Sequence, residues 1–124
     1  MGPFLIVFAG AGLGGMARHA VNLAAARLGI AFPWGTLAIN VAGSFLMGVF
    51  AAWFALRAGW PQHLRLFLTT GLLGGFTTFS AFSLDSALMW EKGAFGPLAL
   101  YVGGSVALSI AGLFAGMAAV RLLS

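Results

Sequence analysis

The chain has 124 residues, a formal net charge of +4, a mean hydropathy of +1.05 and only 6% charged residues. Soluble domains carry about 25% charged residues, so this composition excludes an ordinary soluble protein and predicts an all-α integral membrane protein of one domain. No cysteine occurs, which excludes disulfides and thiolate metal sites. The basic residues stand singly near the ends of apolar runs, which favours anchoring at the membrane interface over nucleic-acid binding.

The first predicted span covers residues 4–28 and is crowded with small residues, which let helices approach closely in lipid. A secretory signal peptide fits poorly, because no basic region precedes Phe4 and the apolar run is too long. Arg18 lies well inside this span. It either reaches the nearer membrane surface beside Arg27 or faces protein as a buried cation. Charges inside membranes usually mark function, which favours the second interpretation.

The second predicted span covers residues 36–56, and Asn40 is its one strongly polar residue. Thr36 lies four residues earlier on the same helical face. Two roles are open for Asn40. It holds helices together through a hydrogen bond, which is common for asparagine in membranes, or it donates hydrogen bonds into a pore.

The third predicted span covers residues 64–89, and its centre differs from a lipid-facing helix. Gly74 and Gly75 adjoin, and hydroxyl side chains are concentrated in residues 77–80. Paired glycines allow non-helical backbone angles, and hydroxyls offer backbone groups alternative partners. Irregular backbone at membrane depth persists only where protein or a watery cavity covers it. We therefore expect a broken helix with its break at a functional centre.

Two features come after the expected break. Phe79 and Phe82 are three residues apart and share a helical face, an arrangement that most often serves packing. Asp85 is the only acid within an apolar run, and it lies toward the end of the span, within reach of interfacial water.

The fourth predicted span covers residues 97–120, where Tyr101, Ser105 and Ser109 recur every four residues as one stripe. This stripe is either a packing seam or a polar track. Four spans put both termini on one side of the membrane, and the basic residues divide almost equally between the two sides. Such a chain has little orientation preference and can insert both ways, which favours an antiparallel dimer.

The third-span sequence Gly71-Leu-Leu-Gly-Gly-Phe-Thr-Thr-Phe-Ser-Ala-Phe-Ser83 resembles the Fluc (CrcB) fluoride channels, whose third helix carries a glycine pair followed by Thr-Thr-Phe-Ser-Thr-Phe-Ser. The resemblance covers the whole chain. Trp34-Gly-Thr-Leu-Ala-Ile-Asn40 matches the start of the family's second helix, Arg18 stands where the first helix has its arginine, and the hydroxyl stripe matches the fourth helix. The third-span string is the specific motif among these.

This resemblance implies a dual-topology antiparallel homodimer in the bacterial inner (plasma) membrane, with two pores that export fluoride passively. It also implies one central structural sodium ion, held by the backbone carbonyls of Gly74 and Thr77 of both subunits. Arg18 would lie near an aqueous vestibule. The positions assigned to the pore are Asn40, Phe79, Phe82, Thr36, Ser80, Ser105, Ser109 and Tyr101. Two departures stand out, because Ala81 replaces a usual threonine and Asp85 replaces a frequent glutamate.

The residue types suit this chemistry. Fluoride is strongly hydrated, so a pore must replace its water with donors such as the Asn40 amide and the hydroxyls of Thr36 and Ser80. Aromatic rings have electropositive edges, so Phe79 and Phe82 would favour an anion edge-on and repel it face-on. Carbonyls freed by a helix break are hard oxygen ligands that suit an alkali cation.

Two alternatives belong to other classes. A small dual-topology proton-coupled exporter needs a carboxylate in the membrane, typically early in the first span, and here only Asp85 is available. A structural protein without a conducted substrate would lose stability but no ion flux on Phe82→Ala or Asn40→Ala. An enzyme is not expected, because the sequence lacks a Ser/His/acid set, a metal-ligand cluster and a phosphate-binding loop.

Overall fold

The computed structural model describes residues 1–57 and 59–124, and these residues contain four apolar helical spans. The first is α1 (Gly2–Ala26), the second is α2 (Trp34–Leu56) and the fourth is α5 (Phe95–Leu123). The third span runs over Gln62–Glu91. Each span exceeds the roughly 20 residues that cross a hydrocarbon core, so the four predicted membrane spans are confirmed by length and composition.

The third span consists of two helical halves. Its first half, α3, begins as Gln62–Leu66, continues as a π-helical stretch at Phe67–Leu73 and ends as Gly74–Phe76. Its second half, α4, is Phe79–Glu91. Between them Thr77 (φ −84°, ψ 159°) and Thr78 (φ −153°, ψ 120°) are extended. The third span is therefore interrupted, as the sequence predicts.

The interruption begins at Thr77, two residues after the glycine pair Gly74–Gly75. Gly74 is helical, with φ −61° and ψ −38°, and Gly75 also continues the helix. A Cβ atom on Gly75 would collide with the carbonyl oxygen of Ala11 in α1, so this glycine serves close packing rather than unusual backbone angles. The extended residues are instead two β-branched threonines, whose side chains suit that conformation.

Glycines also set the two closest helix contacts. In α1 against α3, a Cβ atom on Gly10 or Gly14 would overlap backbone atoms of residues 67–76. In α2 against α5, a Cβ atom on Gly48 would overlap the Leu113 carbonyl, and one on Gly116 would overlap the Phe45 carbonyl. The chain therefore folds as two tightly packed helix pairs, α1 with α3 and α2 with α5.

The interior of the single chain is small. Ile39 and Tyr101 are its largest fully buried side chains, each with 0% exposure. Large apolar side chains stand exposed along every span, which suits a protein whose surroundings are lipid or another subunit.

We expect Gly14→Ala to destabilise the protein and Gly12→Ala to leave it stable. The added methyl group at Gly14 would overlap the Leu72 carbonyl and the Phe76 nitrogen, whereas nothing lies within 4 Å of a Cβ atom at Gly12. Overpacking of this kind lowers the free energy of unfolding by about 1–3 kcal/mol. Reversible unfolding in mixed detergent micelles, followed by circular dichroism, measures the difference. Equal effects of the two substitutions would contradict the packing of α1 on α3.

Candidate functional site

The two extended threonines use their hydroxyls to end one helix and to begin the next. Both the backbone N–H and the Oγ1 of Thr77 donate to the Leu73 carbonyl, at 3.0 and 2.9 Å. Thr78 Oγ1 accepts a hydrogen bond from the backbone N–H of Ala81 at 3.1 Å and so caps α4. The break is therefore a defined local structure: the Thr77 hydroxyl adds to the last hydrogen bond of α3, and the Thr78 hydroxyl replaces a helical acceptor at the start of α4.

Asn40 of α2 pairs with the backbone of Thr78. Its Nδ2 donates to the Thr78 carbonyl oxygen at 3.0 Å, and its Oδ1 accepts from the Thr78 N–H at 2.9 Å. One primary amide thus satisfies both polar groups of one peptide residue at the break. Of the two roles open to Asn40, the structure contains the hydrogen bond between helices, and this bond occupies one of the two amide N–H donors.

The carbonyls of Gly74 and Thr77 are among the backbone acceptors that lose their helical partners at the break. A continuous helix would give the Thr78 N–H to the Gly74 carbonyl, but that N–H donates to Asn40. In the same way the Ala81 N–H would go to the Thr77 carbonyl, but it donates to the hydroxyl of Thr78. The Gly74 and Thr77 carbonyls are therefore hard oxygen ligands without their helical donors. These are the two carbonyls that the family resemblance assigns to sodium, an assignment that stays a prediction.

Arg18 contacts the same region from α1. Its Nε donates to the Gly75 carbonyl at 3.1 Å, and this hydrogen bond is partly buried. A cation beside the last carbonyls of a helix opposes the negative end of the helix dipole. Arg18 therefore contacts protein at the end of α3, and a place near an aqueous vestibule remains a prediction for it.

An open groove of about 420 Å³ lies between α2, α5 and the break. Five of the predicted pore residues line it: Asn40, Phe79, Phe82, Ser105 and Ser109. Ser105 is 6% exposed, and its hydroxyl has no hydrogen-bond partner among the residues that the structure describes. Asn40 of α2 and Ser105 of α5 thus line a mostly apolar groove, Asn40 with one N–H not used in the pairing with Thr78 and Ser105 with a buried hydroxyl that has no partner among the described residues.

The other three predicted pore residues lie outside this groove. Thr36 and Tyr101 are buried in the helix packing, and Ser80 is exposed beside the hydroxyl of Thr78. The Tyr101 hydroxyl donates to Asp85 Oδ2 at 2.9 Å, and its ring lies 5.1 Å from the ring of Phe82. Tyr101 therefore reaches the groove only through Phe82.

Sequence reasoning missed the Tyr101–Asp85 pair. Asp85 lies in α4 and Tyr101 near the start of α5, and the two are 16 residues apart across a turn. Adjacent antiparallel helices bring such positions to one level in the membrane. The sequence could have indicated this pair, because a carboxylate in an apolar span requires a hydrogen-bond donor.

The phenylalanines meet at an angle. The ring centroids of Phe79 and Phe82 are 5.5 Å apart, and their planes are tilted by 44°. Phe79 is 78% exposed, so most of its ring is uncovered within this chain. The groove is consequently open at Phe79 within this chain.

We expect Thr78→Val to lower the free energy of unfolding by about 1 kcal/mol, while Thr78→Ser stays close to the original. Valine keeps the branched shape but leaves the Ala81 N–H without its hydroxyl acceptor, whereas serine keeps that acceptor. Unfolding in mixed micelles again provides the measurement. If valine and serine behave alike, the hydroxyl cap does not contribute to the stability of α4.

A family model and several named proteins match this chain over most of its length. The family model described as "CrcB-like protein, Camphor Resistance (CrcB)" matches residues 5–117. A Methylobacterium nodulans protein named "Fluoride-specific ion channel FluC" is 64% identical over 117 residues, which are 94% of both chains. Proteins with the same name from Rhodopseudomonas palustris and Granulibacter bethesdensis are 60% and 58% identical, each over 98% or more of both chains.

Proposed function

This chain belongs to the CrcB-like family, and we propose that it is a fluoride-specific ion channel through which fluoride leaves the cell passively. The similarity to relatives that carry this name, at 64% identity over nearly the whole length, carries the choice of ion. Because these relatives come from bacteria and the spans are multiple, the proposed location is a bacterial inner membrane. Family membership does not favour the proton-coupled exporter.

The groove beside the break is the proposed pathway. Fluoride exchanges its water there for the free N–H of Asn40 and the hydroxyl of Ser105, since both residues line this space. Phe79 and Phe82 line the same space, and ring edges turned toward it would supply weak positive charge that favours an anion without holding it. Attraction that is modest and distributed allows the ion both to enter and to leave.

A second copy of the chain completes the proposed pore. Phe79 is 78% exposed and the groove is open on one side, so a neighbouring subunit is the natural cover. The nearly equal division of basic residues between the two membrane sides allows insertion in both directions. An antiparallel homodimer fits these two properties, and its two equivalent grooves give two pores.

Sodium fits the break as a structural ion. The Gly74 and Thr77 carbonyls have lost their helical donors, and two subunits together would present four such oxygens. Bound sodium would supply positive charge that replaces the missing N–H donors, which lipid cannot provide. The chain's own contribution is to fix these carbonyls through Asn40, Thr78 and Arg18.

The direct test is ion efflux from liposomes that contain the purified protein, loaded with fluoride in one set and with chloride in another. We expect rapid fluoride efflux and retained chloride. Equal leakage of both anions would contradict a fluoride-specific pathway. Coupling of the flux to a proton gradient would instead support the exporter.

Substitution at Phe79 locates the pathway. We expect Phe79→Leu to slow fluoride efflux by about tenfold, which corresponds to the loss of about 1.4 kcal/mol of favourable interaction. Phe8→Leu is the matched control, because Phe8 is equally exposed at 78% but lies in α1, away from the groove. Equal efflux through both variants would remove Phe79 from the pathway.

A further inference from the structure

The proton of the Thr78 N–H has two possible acceptors. If it bonded to the Gly74 carbonyl, α3 would continue as a helix through the break. In the structure it bonds to Oδ1 of Asn40 instead, at 2.9 Å. A backbone N–H at membrane depth cannot stay unpaired, so these two acceptors compete for one donor.

We propose that Asn40 is a positioning residue that holds the third span open at Thr77–Thr78 and thereby keeps the Gly74 carbonyl unpaired. Its relation to sodium rests on the proposed function. When Asn40 is removed, the Thr78 N–H returns to Gly74, the helix closes and the carbonyl is no longer available as a ligand. The asparagine thus acts on the cation site without touching a cation.

The packing of α2 on the break supports this role independently of the hydrogen bonds. Gly43 lies one turn beyond Asn40, and a Cβ atom there would collide with the side chain of Thr77. The missing side chain lets α2 approach the break closely enough for the Asn40 amide to bond both the N–H and the carbonyl of Thr78. The close approach of α2 at Gly43 therefore places the Asn40 amide beside the backbone of Thr78.

The two hydrogen bonds between Asn40 and Thr78 also set the start of α4. Thr78 caps that helix, and the next residue is Phe79, so fixing the Thr78 backbone fixes where the helix carrying Phe79 and Phe82 begins. Asn40 therefore affects both whether the Gly74 carbonyl is unpaired and where the two aromatic rings lie. Its own amide keeps only one N–H free for an anion.

The first experiment reads the backbone directly. Isotope-labelled protein in lipid nanodiscs gives ¹³Cα chemical shifts, which distinguish helical from extended residues. We expect extended shifts at Thr77 and Thr78 in the natural chain and helical shifts in Asn40→Leu, which fills a similar space without either hydrogen bond. Extended shifts in Asn40→Leu would overturn the proposal, because something other than Asn40 would then hold the break open.

Two further variants make the result specific. Asn40→Asp keeps the oxygen that accepts the Thr78 N–H, so we expect extended shifts to remain, and helical shifts in this folded variant would also overturn the proposal. Thr69→Val removes a hydroxyl bond of α3 to the Arg65 carbonyl and nothing at the break, so it should leave the shifts at residues 77 and 78 unchanged.

The second experiment measures sodium directly, through its effect on thermal stability with choline as the replacement cation. We expect the sodium concentration for half-maximal stabilisation to rise by about tenfold or more in Asn40→Leu, because binding to the folded state alone produces the stabilisation. An unchanged sodium concentration would contradict the proposed link. If the thermal stability of the natural chain does not depend on sodium, the proposed sodium ion is contradicted. The chemical shifts then still decide whether Asn40 holds the break open.

Discussion

In a membrane every backbone N–H and C=O needs a partner from the protein itself, and this constraint governs the third span. Two residues, Thr77 and Thr78, leave the helix and would expose several such groups to lipid. The hydroxyl of Thr78, the amide of Asn40 and the guanidinium of Arg18 supply partners for four of these groups: the Thr78 N–H and carbonyl, the Ala81 N–H and the Gly75 carbonyl. Helices α1 and α2 are thus bound to one break from two sides.

The glycines serve the same end by a different route. Gly14 and Gly75 let α1 and α3 touch through their backbones, which brings Arg18 within reach of the Gly75 carbonyl. Gly43 lets α2 pack closely against Thr77, which brings Asn40 within reach of Thr78. Lipid offers no hydrophobic drive for helix association, so close backbone contact and interhelical hydrogen bonds together hold the site.

Sequence alone predicts the four spans and an interruption of the third, because apolar length and the clustered glycines and hydroxyls are local properties. The position of the interruption is not local. The sequence suggests Gly74 and Gly75 as the flexible point, but in the structure Ala11 of α1 packs directly against Gly75. The role of Asn40 stays open in the sequence for the same reason, since its partner is a peptide group 38 residues away. The family resemblance, and not the pattern of residues, names the ion.

The π-helical stretch at Phe67–Leu73 has a consequence for how related chains are aligned. Such a stretch holds one more residue than the α-helix it interrupts, and each added residue turns the remainder of the helix by about 100°. It therefore behaves as a single-residue insertion that decides which face of α3 carries Gly75 toward α1. A relative lacking that extra residue would need a compensating change before the break to keep its threonines toward α2, so gaps in alignments belong within residues 67–73 and not at the threonines.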